Sequence, residues 1–357
     1  MNGGKYRKDL KFNNKVSKKM KKMIYGVVAL AVAAVMTSCC GGGSQYITKG
    51  DKSVMDTLSH SVGVSVGYGT AQNMPDVRLD WDEVMKGAEK GMKVALDVKE
   101  DPKHKEVYAT LEEFFMNVRQ ARLTEMRTAA EADSTKSFNI KDVDIFENEA
   151  ERKEISYAYG YDFGFNVRSS RMPLQTYWIA EGLNAGAKAE NADEIYRSAQ
   201  EFIRRYYMEI LPAQNVEKSA AWLAEVEKMK GVEKTESGLL YRIDRAGDES
   251  IKPTAEDKVK VDYEGKLSDG FVFDSSYERG EPIEFPLRGV IRGWTEGLQL
   301  VGKGGQITLW IPADLAYGPR GGGNIGPNEA LEFKVELHDV IVAEPVVEES
   351  AEEVTEE

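Results

Sequence analysis

Residues 261–276 read VDYEGKLSDGFVFDSS, and they set the character of the last third of the 357-residue chain. Around Val261 and Tyr263, apolar and polar residues alternate from position 258 onward, which is typical of a β-strand with one buried face. The same period recurs at 307–311 and 331–337. Two shorter segments, 240–243 and 271–273, are predicted as further strands. We therefore predict a sheet with one wet and one dry face, wrapped on a short helix at about 295–300 that begins just after Trp294.

Three further segments complete a set of motifs in a fixed order. They read VIRGWTEG at 290–297, IPADLAYG at 311–318 and LEFKVEL at 331–337. Together with residues 261–276, these motifs resemble those of FK506-binding proteins, which are peptidyl-prolyl cis-trans isomerases. The resemblance implies an isomerase domain at 231–343 and an overall α+β fold: a tandem helical module, then an antiparallel sheet wrapped on one short helix.

The resemblance also implies the residues of the site. It assigns catalytic roles to six side chains: Asp274, Tyr317, Tyr263, Phe273, Trp294 and Phe333. It places five more residues around the substrate: Ile283, Phe285, Val290, Ile291 and Ile325. In this assignment Trp294 forms the floor of the pocket, and the Ile291 N–H is a backbone donor. Asp274 supplies a carboxylate and Tyr317 a hydroxyl.

Taken one at a time, these residues have plainer interpretations. Aromatic residues at strand spacing usually belong to a core, and Asp274 before two serines is also typical of a turn. Two positions depart from the family pattern. Ile283 stands where several members have an aromatic residue, and the Gly-rich loop 319–327 lacks the histidine of some relatives. Both departures bear on substrate preference.

Proline isomerisation fits the chemistry of such a pocket. Rotation about X–Pro faces a barrier of ~18–20 kcal/mol because amide resonance must be broken. No bond to the substrate forms, so no nucleophile, metal or cofactor is required. An apolar cleft disfavours the charge-separated planar amide and fits the twisted one better. The three histidines match no metal-ligand spacing, and Ser275 and Ser276 have no nearby histidine for a hydrolase triad.

Residues 54–230 are rich in Ala, Glu, Lys and Met, which predicts a helical region. It contains an internal repeat, because four segments recur in order: 59–68 as 156–165, Met74-Pro75 as Met172-Pro173, 87–92 as 182–187, and Glu113-Phe114 as Glu201-Phe202. We predict three parts: repeat 1 at 54–130, a linker at 131–150, and repeat 2 with a connecting stalk helix at 151–230.

Each predicted repeat carries two glycine pairs at i, i+4. A glycine inside a helix costs roughly 1 kcal/mol relative to alanine, so four pairs need an offsetting gain. Each pair lies on one helix face and lets a neighbouring helix approach closely. The alternative is that these glycines lie in loops.

The stalk helix is predicted from Pro212 to near Gly231. Its apolar residues recur at helical spacing, and they predict the buried face: Val216, Ala220, Leu223 and Val226.

The N-terminus has the pattern of a bacterial lipoprotein leader. Residues 1–22 carry nine Lys and Arg against one acid, and an apolar run at 23–36 is too short to span a bilayer. The following Thr-Ser-Cys-Cys resembles a lipobox. We predict a signal peptide at 1–38, lipidation at Cys39 and a tether at 39–53. Open alternatives are Cys40 as the anchor, translation starts at Met1, Met20 or Met23, and an ordinary secretory signal with incidental cysteines.

The net charge of the chain limits the classes of partner that it is expected to bind. The formal net charge is −13, and removal of the basic leader makes the remaining chain more acidic, which argues against nucleic-acid binding. The tail at 344–357 holds seven Glu and no basic residue, so it is predicted to be disordered. The only two cysteines lie at positions 39 and 40, next to the predicted cleavage site, so no disulfide can cross-link the folded part.

The helical region more weakly resembles the N-terminal dimerisation domain of the Mip/FkpA-like branch, although two copies depart from the single copy expected there. Copies that pack within one chain would leave a monomer, whereas exchange between chains would give a homodimer, which is the assembly we expect. The predicted function is isomerisation of proline-containing unfolded exported polypeptides, inhibited by FK506-like macrolides. The predicted location is the outer membrane, facing the periplasm and held only by the lipid anchor. The alternative is a non-catalytic chaperone or adhesion lipoprotein that uses the fold as a binding module.

Overall fold

A computed structural model describes residues 54–95, 100–132, 137–169 and 174–342. The leader with Cys39, the tether to position 53 and the acidic tail lie outside these residues. The described chain divides between Tyr206 and Tyr207 into two compact units, which we call the helical unit and the sheet unit. The predicted α+β fold class is confirmed by these elements.

The helices of the helical unit come in two similar series. The first series has four helices: α1 (Val54–Asn73), α2 (Trp81–Met92), α3 (Pro102–Glu113) and α4 (Arg119–Ala132). The second begins with three: α5 (Glu149–Ser169), α6 (Thr176–Lys188) and α7 (Ala192–Arg205). Its fourth helix, α8 (Leu211–Val226), belongs to the sheet unit. No helix within the described ranges combines the length and apolar content that a membrane span needs.

A short π-helical segment follows the third helix in each series. These segments are Phe114–Val118 after α3 and Tyr206–Ile210 after α7. Phe114 and Tyr206 are both buried at the same place in their series. The structure therefore equates Phe114 with Tyr206, and the predicted equivalence of Phe114 with Phe202 is wrong. The error arose because a Glu-Phe pair recurs one helical turn earlier in the second series.

The glycine pairs lie where helices of different series cross. The first helix of each series packs on the second helix of the other, so that α1 contacts α6 and α5 contacts α2. A Cβ added at Gly63 would lie 2.2 Å from the Ile179 carbonyl oxygen, and one at Gly160 would lie 1.8 Å from the Val84 carbonyl oxygen. All eight paired glycines face backbone in this way: 63, 67, 87, 91, 160, 164, 182 and 186. The prediction of close helix approach is confirmed.

The described residues of the sheet unit, 207–342, form seven strands, all paired antiparallel. They are β1 (Glu233–Lys234), β2 (Leu240–Arg245), β3 (Lys258–Leu267), β4 (Val272–Ser275), β5 (Ile283–Pro286), β6 (Gln306–Ile311) and β7 (Leu331–Ile341). The order across the sheet is β1-β2-β6-β7-β3-β4, and β5 pairs with the first half of β3. Besides α8, the described residues of this unit form the single turn α9 (Ser276–Arg279) and the helix α10 (Arg292–Leu298).

The strand periodicity is confirmed in β3 and β7, where buried and less buried residues alternate. In β6 the prediction of one wet face is wrong, because residues 307–311 are all buried. Trp310 on the second face packs with Leu240 and Val226, and the partly buried Trp222 and Leu223 join them. Helix α8 therefore covers part of the face that was predicted to be wet.

The predicted buried face of α8 is wrong near the start of the helix, at Val216 and Ala220, and right near its end, where Leu223 and Val226 pack against Trp310. Val216 is 53% exposed, whereas Asn215 and Ser219 are buried. The face follows 215, 219, 222 and 226, so it is polar near its start and apolar near its end.

The predicted helix at about 295–300 begins earlier than expected. It starts at Arg292 and includes Trp294, because Ile291 has extended backbone angles and serves as the N-cap. Gly293 and Gly297 face β6, where an added Cβ would meet the side chains of Ile311 and Leu309. These glycines let the helix lie directly on the sheet, and the closeness fixes where Trp294 is held.

Candidate functional site

A cluster of aromatic rings fills the space between the sheet and α10. The rings come from four strands and the helix: Tyr263 on β3, Phe273 on β4, Phe285 on β5, Phe333 on β7 and Trp294 on α10. Tyr263, Trp294 and Phe333 are almost fully buried, while Phe273 and Phe285 are partly buried against the same core. We call these five residues the ring cluster.

Trp294 is the hub of the ring cluster. Its ring centroid lies 5.1 Å from that of Tyr263, 5.0 Å from that of Phe333 and 5.4 Å from that of Phe285. The first two contacts are edge-to-face, an arrangement that aromatic pairs favour. Phe273 joins through Phe333, with 5.5 Å between centroids. Two other predicted catalytic residues, Tyr263 and Phe333, therefore pack against the Trp294 ring.

Gly265 gives the rings their space on β3. A Cβ at this position would lie 2.7 Å from ring atoms of both Phe273 and Phe333. Any other residue would push the two rings aside. The strand therefore needs a glycine here because the rings occupy the space of a side chain.

Polar groups gather at one edge of the ring cluster. The Tyr263 hydroxyl donates a hydrogen bond to Asp274, and Arg279 Nη1 donates to the other oxygen of the same carboxylate. Arg279 Nη2 also donates to the Tyr263 hydroxyl oxygen at 2.9 Å. Burial first, and the bond to Asp274 second, raise the pKa of Tyr263 above its ordinary value. The hydroxyl therefore keeps its proton at neutral pH.

Arg279 was missed by the sequence reasoning, although a local signal was present. Ser275 caps the start of α9 by accepting a hydrogen bond from the Glu278 N–H, and Gly280 ends the turn with φ of 82°. A serine cap and a left-handed glycine that enclose four residues are typical of one helical turn. Such a turn reverses the direction of the chain and brings Arg279 next to Asp274 on the preceding strand.

A second polar network holds β3 in place beside the ring cluster. The buried Ser276 hydroxyl donates to Asp262 at 2.6 Å and accepts from the Tyr263 N–H at 2.8 Å. His338 Nε2 lies 2.8 Å from the other Asp262 oxygen. Burial alone would raise the pKa of Asp262, but these two hydrogen bonds outweigh it and lower the pKa. Asp262 thus stays ionised and ties together β3, α9 and β7.

The remaining predicted residues differ in their placement. Four predicted substrate residues are partly buried against the core that holds the ring cluster: Ile283, Phe285, Val290 and Ile291. Ile325 is almost fully buried in that core, although it comes from a long loop. Tyr317 lies outside the ring cluster, since it is 43% exposed and its ring would contact a Cβ at Gly322 of the same loop.

This arrangement suits binding better than covalent chemistry. Phe273 and Phe285 leave the ring cluster partly exposed, and the Tyr263, Asp274 and Arg279 side chains place hydrogen-bonded polar groups at its edge. Apolar sites with a few placed polar groups are typical of small-ligand and peptide-segment binding.

Comparison with known families agrees with this geometry. The family model described as FKBP-type peptidyl-prolyl cis-trans isomerase matches residues 249–338. The model described as the domain amino terminal to that isomerase matches residues 152–243, which include most of the second helical series and β1. Residues 54–151, with the whole first series, precede both matches.

Several curated relatives are similar to this chain over about half of its length. A probable FKBP-type peptidyl-prolyl cis-trans isomerase FkpA of Neisseria meningitidis serogroup B is 38% identical over 52% of this chain and 73% of its own length. The FKBP-type 22 kDa peptidyl-prolyl cis-trans isomerase of Escherichia coli is 42% identical, over 46% of this chain and 80% of its own. Mip of Coxiella burnetii is 37% identical, over 53% and 87%. The chain therefore belongs to the FKBP-type peptidyl-prolyl cis-trans isomerases, as its four motifs predicted.

Proposed function

We propose that the ring cluster binds the proline ring of an X–Pro segment and stabilises the twisted amide. The observation that supports this most strongly is the position of Trp294, whose ring contacts Tyr263, Phe285 and Phe333 at once. A surface made of packed rings excludes water and accepts an apolar ring with little reorganisation.

The polar edge would act on the amide itself. In the twisted state the amide loses resonance, so its nitrogen becomes more basic and its carbonyl less polar. A water-poor apolar surface favours this state over the planar, charge-separated one. The Tyr263, Asp274 and Arg279 network would orient the flanking peptide groups, since each is held by at least two hydrogen bonds. Ile291 N–H and Tyr317 are proposed as further polar contacts at the site.

The test is the cis-trans exchange rate of a proline tetrapeptide with the full chain. We expect acceleration that FK506 abolishes, and slower catalysis by Trp294→Leu. Lys258→Gln is the matched control, because Lys258 is exposed on β3, away from the rings. An exchange rate equal to the uncatalysed rate would contradict the proposal and favour the non-catalytic binding module.

We further propose that the chain is exported and anchored by lipid at Cys39, so that its clients are proline-containing unfolded exported polypeptides. The support is the basic, apolar and Thr-Ser-Cys pattern of residues 1–40. Labelling of cells with a fatty-acid analogue tests it. The wild-type chain should take up label and Cys39→Ser should not. Label retained in Cys39→Ser but lost in Cys40→Ser would place the anchor at Cys40.

For assembly, we propose a monomer in place of the homodimer expected from the sequence. Both glycine crossings form between helices of the same chain, α1 with α6 and α2 with α5. With these faces already covered, none of the paired glycines in the described helices is left to pack against a second chain. Sedimentation of the mature chain should give the mass of one copy. A stable dimer would overturn this proposal and support helix exchange between chains.

A further inference from the structure

The buried face at the start of helix α8 is formed by polar residues, although the apolar spacing of the sequence predicted a different, apolar face. Asn215 is 6% exposed and Ser219 is 8% exposed, one helical turn apart, while Val216 between them is 53% exposed. Asparagine and serine are mostly exposed in proteins, and when buried they are hydrogen-bonded. The partners of these two side chains therefore show what this part of the helix does.

Both side chains bind the backbone of one short segment. Asn215 Nδ2 donates to the Pro327 carbonyl oxygen at 2.8 Å. The Ser219 hydroxyl donates to the Asn328 carbonyl oxygen at 3.0 Å and accepts from the Ala330 N–H at 2.9 Å. Two side chains of the helix thus satisfy three backbone groups that β-strand pairing does not use.

The segment has an unusual backbone that fits this contact. Asn328 has φ of 56° and is the one non-glycine residue with positive φ among those the structure describes. A Cβ at Gly326 would lie 3.1 Å from Asn215 Nδ2, so the chain passes close to the helix there. Left-handed backbone at a non-glycine residue persists where the surroundings hold it.

This segment closes the loop that carries Ile325. The Asn328 N–H donates to the Gly318 carbonyl oxygen at 2.9 Å, which joins the two ends of the loop. Within the loop, Gly322 and Ile325 exchange backbone hydrogen bonds in both directions. Ile325 is thereby turned into the core that holds Trp294 and Phe333. The helix holds the base of the loop, and the loop presents Ile325.

We propose that Asn215 and Ser219 are positioning residues of the isomerase site, which makes α8 part of the catalytic unit. The inference rests on the proposed function of the ring cluster. A loop with four glycines in residues 319–327 loses much conformational entropy when it is ordered. Buried hydrogen bonds from a rigid helix supply that order before the substrate arrives, so less binding energy is spent on ordering the loop.

Two variants of the full chain test the role of α8. Asn215→Asp keeps the shape of the side chain but sets a carboxylate against the Pro327 carbonyl oxygen. Ser219→Ala leaves the Asn328 carbonyl and the Ala330 N–H without their partner. Val216→Ala is the matched control, because Val216 lies on the same helix and points to solvent.

For both variants we expect kcat/KM on a proline tetrapeptide to fall about tenfold, mainly through KM, because the ordered loop aids binding. FK506 should bind more weakly by a similar factor. Amide hydrogen exchange should become faster across 318–330 but not in β3 or β7. Val216→Ala should change none of these values.

Three results would overturn the inference: unchanged kcat/KM, lower kcat/KM without faster exchange in the loop, or faster exchange throughout the sheet. The last would show a structural role only. If the wild-type chain were inactive, the proposed function would fail by itself. The exchange and FK506 measurements would then still decide whether α8 orders the loop.

Discussion

Glycines in the helical unit bring backbones together, whereas a glycine in the sheet unit makes room for rings. A Cβ at Gly160 would lie 1.8 Å from a carbonyl oxygen of the facing helix, and one at Gly265 would lie 2.7 Å from ring atoms of Phe273 and Phe333. Backbone of a packed helix has little freedom to move, but rings can rotate or shift. The same residue type therefore fixes a scaffold in one unit and shapes a site in the other.

The ion pairs of the two units differ in a parallel way. In the helical unit, Asp76 and Arg119 form a two-bond pair with side chains 0% and 10% exposed. In the sheet unit, Asp274 and Arg279 are each 42% exposed. A buried pair matters for stability once one partner is lost, while an exposed pair contributes little stability. We infer that the first is structural and that the second serves the site.

The largest effect is expected for Gly160→Leu. The side chain cannot fit against the Val84 carbonyl, so the helical unit should lose more than about 5 kcal/mol of unfolding free energy and fail to fold. Catalysis of tetrapeptide exchange should persist, because the rings lie in the other unit. Circular dichroism and the exchange assay measure the two effects.

Gly69→Ala is the control for that change, since a Cβ there has no neighbour nearer than Asn73 Nδ2 at 4.0 Å. It should be neutral or stabilise α1 by up to about 1 kcal/mol. A fully folded helical unit in Gly160→Leu would show that the crossing is not close.

The next effect is expected for Asp76→Ala. It leaves Arg119 buried without its partner, which should cost about 3 to 5 kcal/mol in chemical denaturation. The second series has Leu174 after its Met-Pro and Leu211 after its π-helical segment, where the first has Asp76 and Arg119. The double change Asp76→Leu with Arg119→Leu should therefore cost much less than the single one. An equal or larger cost would mean that the charges themselves are needed.

A smaller loss of stability is expected for Gly265→Ala. The added methyl group displaces Phe273 and Phe333, which should cost about 1 to 3 kcal/mol. The larger consequence should be on FK506 affinity, measured by calorimetry, because the rings leave their positions. Gly289→Ala, where an added Cβ meets only Pro286 Cγ at 3.5 Å, is the control. Unchanged FK506 affinity in Gly265→Ala would show that Phe273 and Phe333 do not form part of the binding site.

The smallest change in stability, with a clear change in activity, is expected for Asp274→Ala. Loss of an exposed ion pair should cost no more than about 1 kcal/mol. The Tyr263 hydroxyl and Arg279 would lose their shared acceptor, so kcat/KM should fall severalfold. Thermal unfolding and the exchange assay, run on one preparation, measure both. A large loss of stability with normal activity would reverse our assignment of the pair.

The sequence predicted those parts that depend on repeating local patterns. Alternation identified β3 and β7, and the spacing of glycines identified the helix crossings. The order of the four motifs then predicted that the ring residues lie together. Taken singly, each aromatic residue is typical of an ordinary core. These predictions hold because each follows from the period of one element or from the family resemblance.

The missed features depend on contacts between distant segments. The buried face at the start of α8 was misjudged because its partner there is a loop backbone. Asn215 and Ser219 can form hydrogen bonds with that backbone, whereas the side chain of valine cannot. The second face of β6 was judged wet because nothing in its own pattern shows that α8 covers Trp310. Arg279 was overlooked because its role depends on a single turn that folds back over Asp274.

A crystal structure of the chain with a bound proline tetrapeptide tests the central claim most directly. We expect the proline ring to lie within about 4 Å of the Trp294 indole, between Tyr263 and Phe333. A peptide bound elsewhere, with its proline away from these three rings, would contradict the account.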